Sequence, residues 1–432
     1  MNNKDSKKNL TLSVHASSFN DWEETYNFIK GYAIGKGMNN TLIALGIAKH
    51  YHKGQFRKGG EPYIIHPLEV TSYLINLKID DDITCAAAIL HDVIEDCNLP
   101  YDGKEFIDHY NLPKEVVDIV LLLTKKKGIP ENIYYDKIKE DKRALIIKLA
   151  DRTNNCSTMV EAFTKDKLIS YVEETVDLIY PLCAYAKEYY PELSNAVTII
   201  KYHIVSICET ISSLFNKHTS YNPNRYKKTL LFIRGFATAR KMHNTLIALA
   251  LAERFHQGQL RKSGDPFIIH PLRVCSYLIS LNLSNDVTCA AALLHEVLKK
   301  CDLPNGGNEL IETYKLDPEV LELIKLVSRD EAISKEIYYE NLKKNPQALL
   351  IKLSNRANTC TILTSYSPDE LAEYLDEGHN FIDPLCTYGK LYYPEYLSQI
   401  VNMKYHINAM CQIVECFNKD EVFAKTEDNK AE

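Results

Sequence analysis

The chain contains the same domain twice. QFRKGGEPYIIHP at 55–67 returns as QLRKSGDPFIIHP at 259–271, and TCAAAILHDV at 84–93 returns as TCAAALLHEV at 288–297, both displaced by 204 residues. IIKLADR at 146–152 and Tyr134-Tyr135 return at the same displacement as LIKLSNR at 350–356 and Tyr338-Tyr339. DLIYPLC at 177–183 meets NFIDPLC at 380–386 with a displacement of 203, so only one residue is lost along the way. A period of this length exceeds that of solenoid repeats, so the copies are tandem domains. Polar HTSYNPNRY at 218–226 is the natural linker. The expected organisation is a tail at 1–20, domains at 21–217 and 227–420, and a tail at 421–432.

Within each copy, segments such as TLIALGIAKHYH, PLEVTSYLINL, ITCAAAILHDVIEDC and RALIIKLADRTNN space their apolar residues by three and four. Strand-like alternation is absent. The pattern predicts an all-α fold of two helical bundles. Hydrophobic residues at 45% and charged residues at 25% exclude a disordered or fibrous chain. The 57 acidic and 51 basic residues are dispersed, so nothing points to a nucleic-acid partner held by bulk charge. No apolar run reaches the roughly 18 residues of a membrane helix, and MNNKDSKKNLTLS lacks the apolar core of a secretory signal. A cytoplasmic protein without a membrane partner is expected. The twelve cysteines form no CxxC pair, which argues against a zinc knuckle.

In the first copy, His91 and Asp92 follow the apolar CAAAIL, with Glu95 and Asp96 one helical turn further on. Carboxylates at the end of a buried helix are costly unless a cation or hydrogen bonds compensate, and a divalent metal is the economical explanation. IIKLAD brings Asp151 to the end of another apolar run, with Asn155 and Thr158 at i+4 and i+7. His66, ahead of Pro67 at a helix start, completes a set of two imidazoles and two carboxylates. Mixed nitrogen and oxygen ligands suit manganese, iron or zinc better than calcium. Glu95 or Asp96 is then placed to take a proton from an activated water.

The series RKGGEPYIIHP, LHDVIED and KLADRTNN resembles the HD-domain hydrolases of the RelA/SpoT family, in particular the small alarmone hydrolases, over most of residues 30–185. The resemblance implies two HD-type bundles and one manganese ion, in the first domain only, held by His66, His91, Asp92 and Asp151. It implies Glu95 and Asp96 as the water-activating pair. Arg57, Lys58, Tyr63, Asn155 and Thr158 fall where the family holds a guanine nucleotide and its phosphates. The implied reaction removes the 3′-pyrophosphate from guanosine tetraphosphate or pentaphosphate. The catalytic set itself reads only metal, water and phosphate, so an adenine alarmone or the 2′-phosphate of NADPH also fits it.

The second copy keeps Arg261, Lys262, His270 and His295. Asp92 becomes Glu296, Asp151 becomes Asn355, and Glu95-Asp96 becomes Lys299-Lys300. Three negative charges are lost and two positive ones gained, so this copy is expected to be metal-free and catalytically silent. A nucleotide-sensing role for its lysine-rich pocket is the reading from another functional class. His52 and His203 recur as His256 and His406 in the copy without the carboxylates, which argues for structural roles, as does the recurrence of the tyrosine pair. Lys125-Lys126-Lys127 reads as the solvated end of an apolar helix. An intramolecular pseudo-dimer of the two bundles is a further expectation.

Overall fold

A computed structural model describes residues 21–97, 99, 103–215, 223–301 and 303–418. The expected tails and residues 218–222 of the expected linker lie outside the described residues, and a helix already begins at Pro223. The described residues are helical, with no strand among them; two isolated bridges, Phe56 to Pro62 and Leu260 to Pro266, pinch the same loop in each copy. In that loop the Arg57 amide donates to the Glu61 carbonyl at 2.8 Å and Arg261 repeats the bond to Asp265. Gly60 and Gly264 turn the chain at φ of 90° and 85°, a conformation that side chains with a Cβ rarely adopt.

Contacts divide the chain into two compact units. One comprises Met1–Ile75 and Ile79–Asp151, the other Asn76–Lys78 and Arg152–Glu432. The division falls inside the helix Lys142–Ala162 and so does not coincide with the repeat.

The first unit is built on the helix Asp82–Leu90, in which every residue from Cys85 to Leu90 is fully buried. Its small side chains admit the helices Asn39–Tyr51 and Lys114–Leu123 against its flanks. Asp81 caps it by accepting from the Thr84 amide at 2.9 Å. The carboxylate of Asp82 turns outward to the neighbouring helix and accepts from the Asn40 and Thr41 amides at 3.1 and 2.8 Å, satisfying donors that a helix start leaves unpaired. The second unit repeats this design, with Asn285 capping Asp286–Leu294 and Asp286 serving the Asn244 and Thr245 amides.

The segment ITCAAAILHDVIEDC, expected as one helix, is broken at His91-Asp92 and resumes as Val93–Asp96. The imidazole Nδ1 of His91 takes the Ala88 carbonyl at 2.8 Å, the acceptor that the Asp92 amide would need in a continuing helix. Asp92 then adopts φ −102° and ψ −9°.

Within the second unit, the helix Ser194–Leu214 from the first copy packs on Ile269–Ser280 and Leu397–Asn418 from the second. The contacts are reciprocal: Asn154 Nδ2 donates to the Tyr405 hydroxyl at 3.2 Å, and Asn358 Nδ2 to the Tyr202 hydroxyl at 3.4 Å. Between them the rings of His203 and His406 meet edge to face at 4.8 Å, both buried. Burial disfavours their charged forms, pushing His406 down to about 4 and His203 well below its ordinary value. The unfolded imidazoles take up protons below about pH 6.5 while His406 in the fold resists until about pH 4 and burial holds His203 down in the same direction, so stability falls as pH drops through that window. Thermal or urea unfolding is therefore expected to show a loss of up to about 1.4 kcal/mol per pH unit from His406 between pH 6.5 and 4.5. His406→Gln should flatten this dependence, and an unchanged slope in that variant would count against the assignment.

Candidate metal centre

Three elements converge at one point of the first unit. His66 lies in the first turn of Ile65–Asn76, where Pro67 needs no intrahelical hydrogen bond. His91 and Asp92 occupy the break after the buried helix, so both side chains leave the backbone at its end. Asp151 follows the buried run Ala144–Ile147 and Leu149-Ala150 in Lys142–Ala162.

His66 Nε2 stands 3.2 Å from His91 Nε2, 3.4 Å from Asp92 Oδ2 and 3.2 Å from Asp151 Oδ1. His91 Nε2 is 3.2 Å from Asp92 Oδ2 and 3.9 Å from Asp151 Oδ1. Donors roughly 2.1 Å from a shared transition-metal ion stand about 3.0 to 3.5 Å from one another. His66, His91 and Asp92 meet that spacing and form one group of mutually close ligand atoms, while Asp151 meets it to His66 and stands farther, at 3.9 Å, from His91. The bond from His91 Nδ1 to the Ala88 carbonyl fixes that ring with Nε2 facing the centre. Two buried imidazole nitrogens and two carboxylate oxygens form the mixed set that a divalent ion such as manganese, iron or zinc takes.

The electrostatics are those of a cation-seeking cluster. Burial works against a charged His91, but Asp92 and Asp151 outweigh it and push His91 up to about 10; His66 rises for the same reasons. Asp92 and Asp151, despite burial, are held well below the usual carboxylate range, chiefly by His91 and by Lys148 respectively. Burial raises both Glu95 and Asp96, with the Asp92 charge adding to Asp96.

The other expected site residues are arranged less uniformly. The Tyr63 hydroxyl donates to Asp92 Oδ2 at 2.9 Å and also to Asp96, while its ring stacks on His52 at 4.8 Å. Tyr63 thus joins the Asp92 carboxylate to the expected water-activating pair. Glu95 turns the other way and accepts from the Lys125 amide at 3.0 Å. Arg57 is half-buried and its charge is felt at His66, whereas Lys58 is exposed. Asn155 and Thr158 lie half-buried one and two turns beyond Asp151 on the same helix. Sequence reasoning missed Lys148, whose ammonium reaches Asp151 Oδ2 at 2.8 Å. Its signal was a lone lysine inside the apolar run IIKLA.

The second copy keeps the imidazole pair, with His270 and His295 Nε2 atoms 3.2 Å apart and Glu296 at 3.7 Å from His295. These three offer ligand atoms within 4.8 Å of one another, but Asn355 replaces Asp151 and Lys352 pairs with Glu377 at 3.6 Å. With those carboxylates changed, burial dominates and both imidazoles shift down instead of up.

A repeated all-helical domain with a buried histidine–aspartate pair at a helix break defines a class of helical metal-binding domains. The chain belongs to the HD-domain family, whose model matches residues 44–187 and 248–381. It is 40% identical over 146 residues to a guanosine-3′,5′-bis(diphosphate) 3′-pyrophosphohydrolase of Vibrio cholerae, covering 32% of this chain and 20% of that protein. It is 35% identical over 183 residues to a protein of the same name from Borreliella burgdorferi, covering 37% and 26%. It is also 30% identical over 227 residues to the bifunctional (p)ppGpp synthase/hydrolase SpoT of Escherichia coli, covering 51% and 29%. These are RelA/SpoT-type proteins, and the chain spans less than a third of the length of each.

Lys148 secures the outer oxygen of Asp151, and removal of such a partner typically weakens metal binding by roughly 10–100-fold. Lys148→Met is expected to lower divalent-metal affinity by that factor with unchanged far-ultraviolet circular dichroism; wild-type affinity would show that Asp151 needs no such support.

Proposed function

We propose that the first repeat, 21–217, is a manganese-dependent hydrolase that removes the 3′-pyrophosphate from guanosine tetraphosphate or pentaphosphate, leaving GDP or GTP. The observation that carries this reading is the cluster of His66, His91 and Asp92, with Asp151 at 3.2 Å from His66 and Asp96 joined to Asp92 through Tyr63. The names of the similar proteins supply the substrate. When bound, one ion at this centre neutralises phosphoryl charge and makes hydroxide accessible near neutral pH.

The chain's own groups do the rest. Glu95 or Asp96 accepts the proton of the attacking water, and Tyr63 steadies Asp96 against Asp92. The water oxygen bonds to the phosphorus attached to the ribose 3′ oxygen, the P–O3′ bond breaks, and a proton ends on that oxygen. Arg57, Lys58, Tyr63, Asn155 and Thr158 hold the guanine nucleotide and its phosphates. The second repeat, 227–420, carries no ion and performs no chemistry, because Asn355, Lys299 and Lys300 stand where the first has carboxylates.

The reciprocal bonds of Asn154 and Asn358 support an intramolecular pseudo-dimer of the copies. No helix among the described residues is long and apolar enough to cross a membrane.

Purified protein supplied with Mn²⁺ is expected to release pyrophosphate from guanosine tetraphosphate and to hold one ion per chain. Asp92→Ala should abolish both ion and turnover, while Glu95→Gln with Asp96→Asn should keep the ion and lose about 10²–10⁴-fold in kcat. Release of single phosphate, turnover of adenine nucleotides alone, or full activity in Asp92→Ala would refute the proposal.

A further inference from the structure

The second repeat holds an open cavity of about 350 Å³, within the roughly 300–1,000 Å³ span of small-ligand sites. Its walls carry five cationic side chains, Arg261, Lys262, Lys300, Lys352 and Arg356, against two carboxylates, Glu296 and Glu377. Glu377 answers Lys352 and Arg356 at 3.6 and 3.1 Å, and Glu370 pairs with Lys262. Arg261 and Lys300 have no ion-pair partner among the described residues.

Arg261 is the telling member. It is 7% exposed, and its guanidinium contact is a 3.5 Å hydrogen bond to the Asn358 carbonyl. A buried guanidinium without a close ion pair is costly, and an anion from solution that enters the cavity removes that cost. Lys300 stands opposite charge-wise to its counterpart Asp96, and its ammonium lies 4.7 Å over the Phe267 ring. Lys262 lies 4.9 Å over Tyr366 in the same cavity. Cations for phosphates and aromatic rings for a base are the two elements of nucleotide recognition.

We infer that the cavity of the second repeat binds a nucleoside polyphosphate through Arg261 and Lys300 and does not cleave it. Cleavage is excluded by chemistry: the positions of the proposed proton acceptors hold Lys299 and Lys300. The site is independent of which substrate the first repeat turns over.

The test is calorimetric titration of the full chain in EDTA, in the Asp92→Ala background so that nothing is turned over. The probes are guanosine tetraphosphate, GDP and inorganic pyrophosphate. Saturable nucleotide binding is expected to survive chelation and to weaken about tenfold or more when the exposed Lys300 is changed in Lys300→Glu. In the otherwise wild-type chain, Lys300→Glu is expected to leave manganese-dependent turnover by the first repeat unchanged, which also shows that the variant is folded. Failure of every probe to bind in EDTA, or equal binding by Lys300→Glu, would overturn the site. Pyrophosphate binding as tight as that of GDP would overturn its assignment to a nucleoside.

Discussion

Two carboxylates that stay ionised in a buried place set the terms for the first unit. Asp92 and Asp151 meet two imidazoles at 3.2 to 3.9 Å, and no arrangement of apolar side chains could replace the positive charge they require. The surrounding backbone serves that requirement. A fully buried helix ends where His91 claims the Ala88 carbonyl, and this frees Asp92 from helical register. Lys148 answers the outer oxygen of Asp151 while its other oxygen faces His66, and Tyr63 donates to the Asp92 oxygen that faces the imidazoles.

The duplicate shows what the same scaffold does when the charges change. The caps, the pinched loop and the imidazole pair at 3.2 Å are all preserved. The imidazoles nevertheless shift in opposite directions in the two copies, because only the first is surrounded by ionised aspartates. Lys148 and Lys352 occupy equivalent places, yet one pairs with a proposed metal ligand and the other with Glu377. Scaffold and chemistry are therefore separable: packing has been maintained by the apolar helix faces while a handful of charged positions were exchanged.

Much of this is legible in the sequence because its causes are local. Apolar spacing at three and four residues reports buried helix faces, and the 204-residue displacement reports the duplication without any contact information. The candidate ligand residues draw notice in the sequence because carboxylates beside buried apolar runs require explanation. The break at His91-Asp92 is not, since neither glycine nor proline marks it and the cause is a side chain competing for a carbonyl. Lys148 was hidden because a lysine in an apolar run has many innocent explanations until its partner is known. Tyr63, expected against nucleotide, also bonds Asp92 and Asp96, a contact that spans 29 to 33 residues of sequence. The division of the chain inside Lys142–Ala162 depends on contacts across more than 250 residues, such as Asn154 with Tyr405, which no window of sequence contains.

That division bears on why the degenerate copy persists. Asn154 lies three residues beyond Asp151 on one helix, and its amide is bonded to a tyrosine of the second copy. Asn358 occupies the same place beyond Asn355 and is bonded to a tyrosine of the first. Each copy thus supplies a hydroxyl to the helix that carries the other's ligand position, in the reciprocal manner of a two-fold interface. The exchange of Asp151 for Asn355 leaves this bonding intact, because none of its four residues belongs to the candidate metal set. A copy can therefore exchange its charged positions and still be required by the polar network of the other.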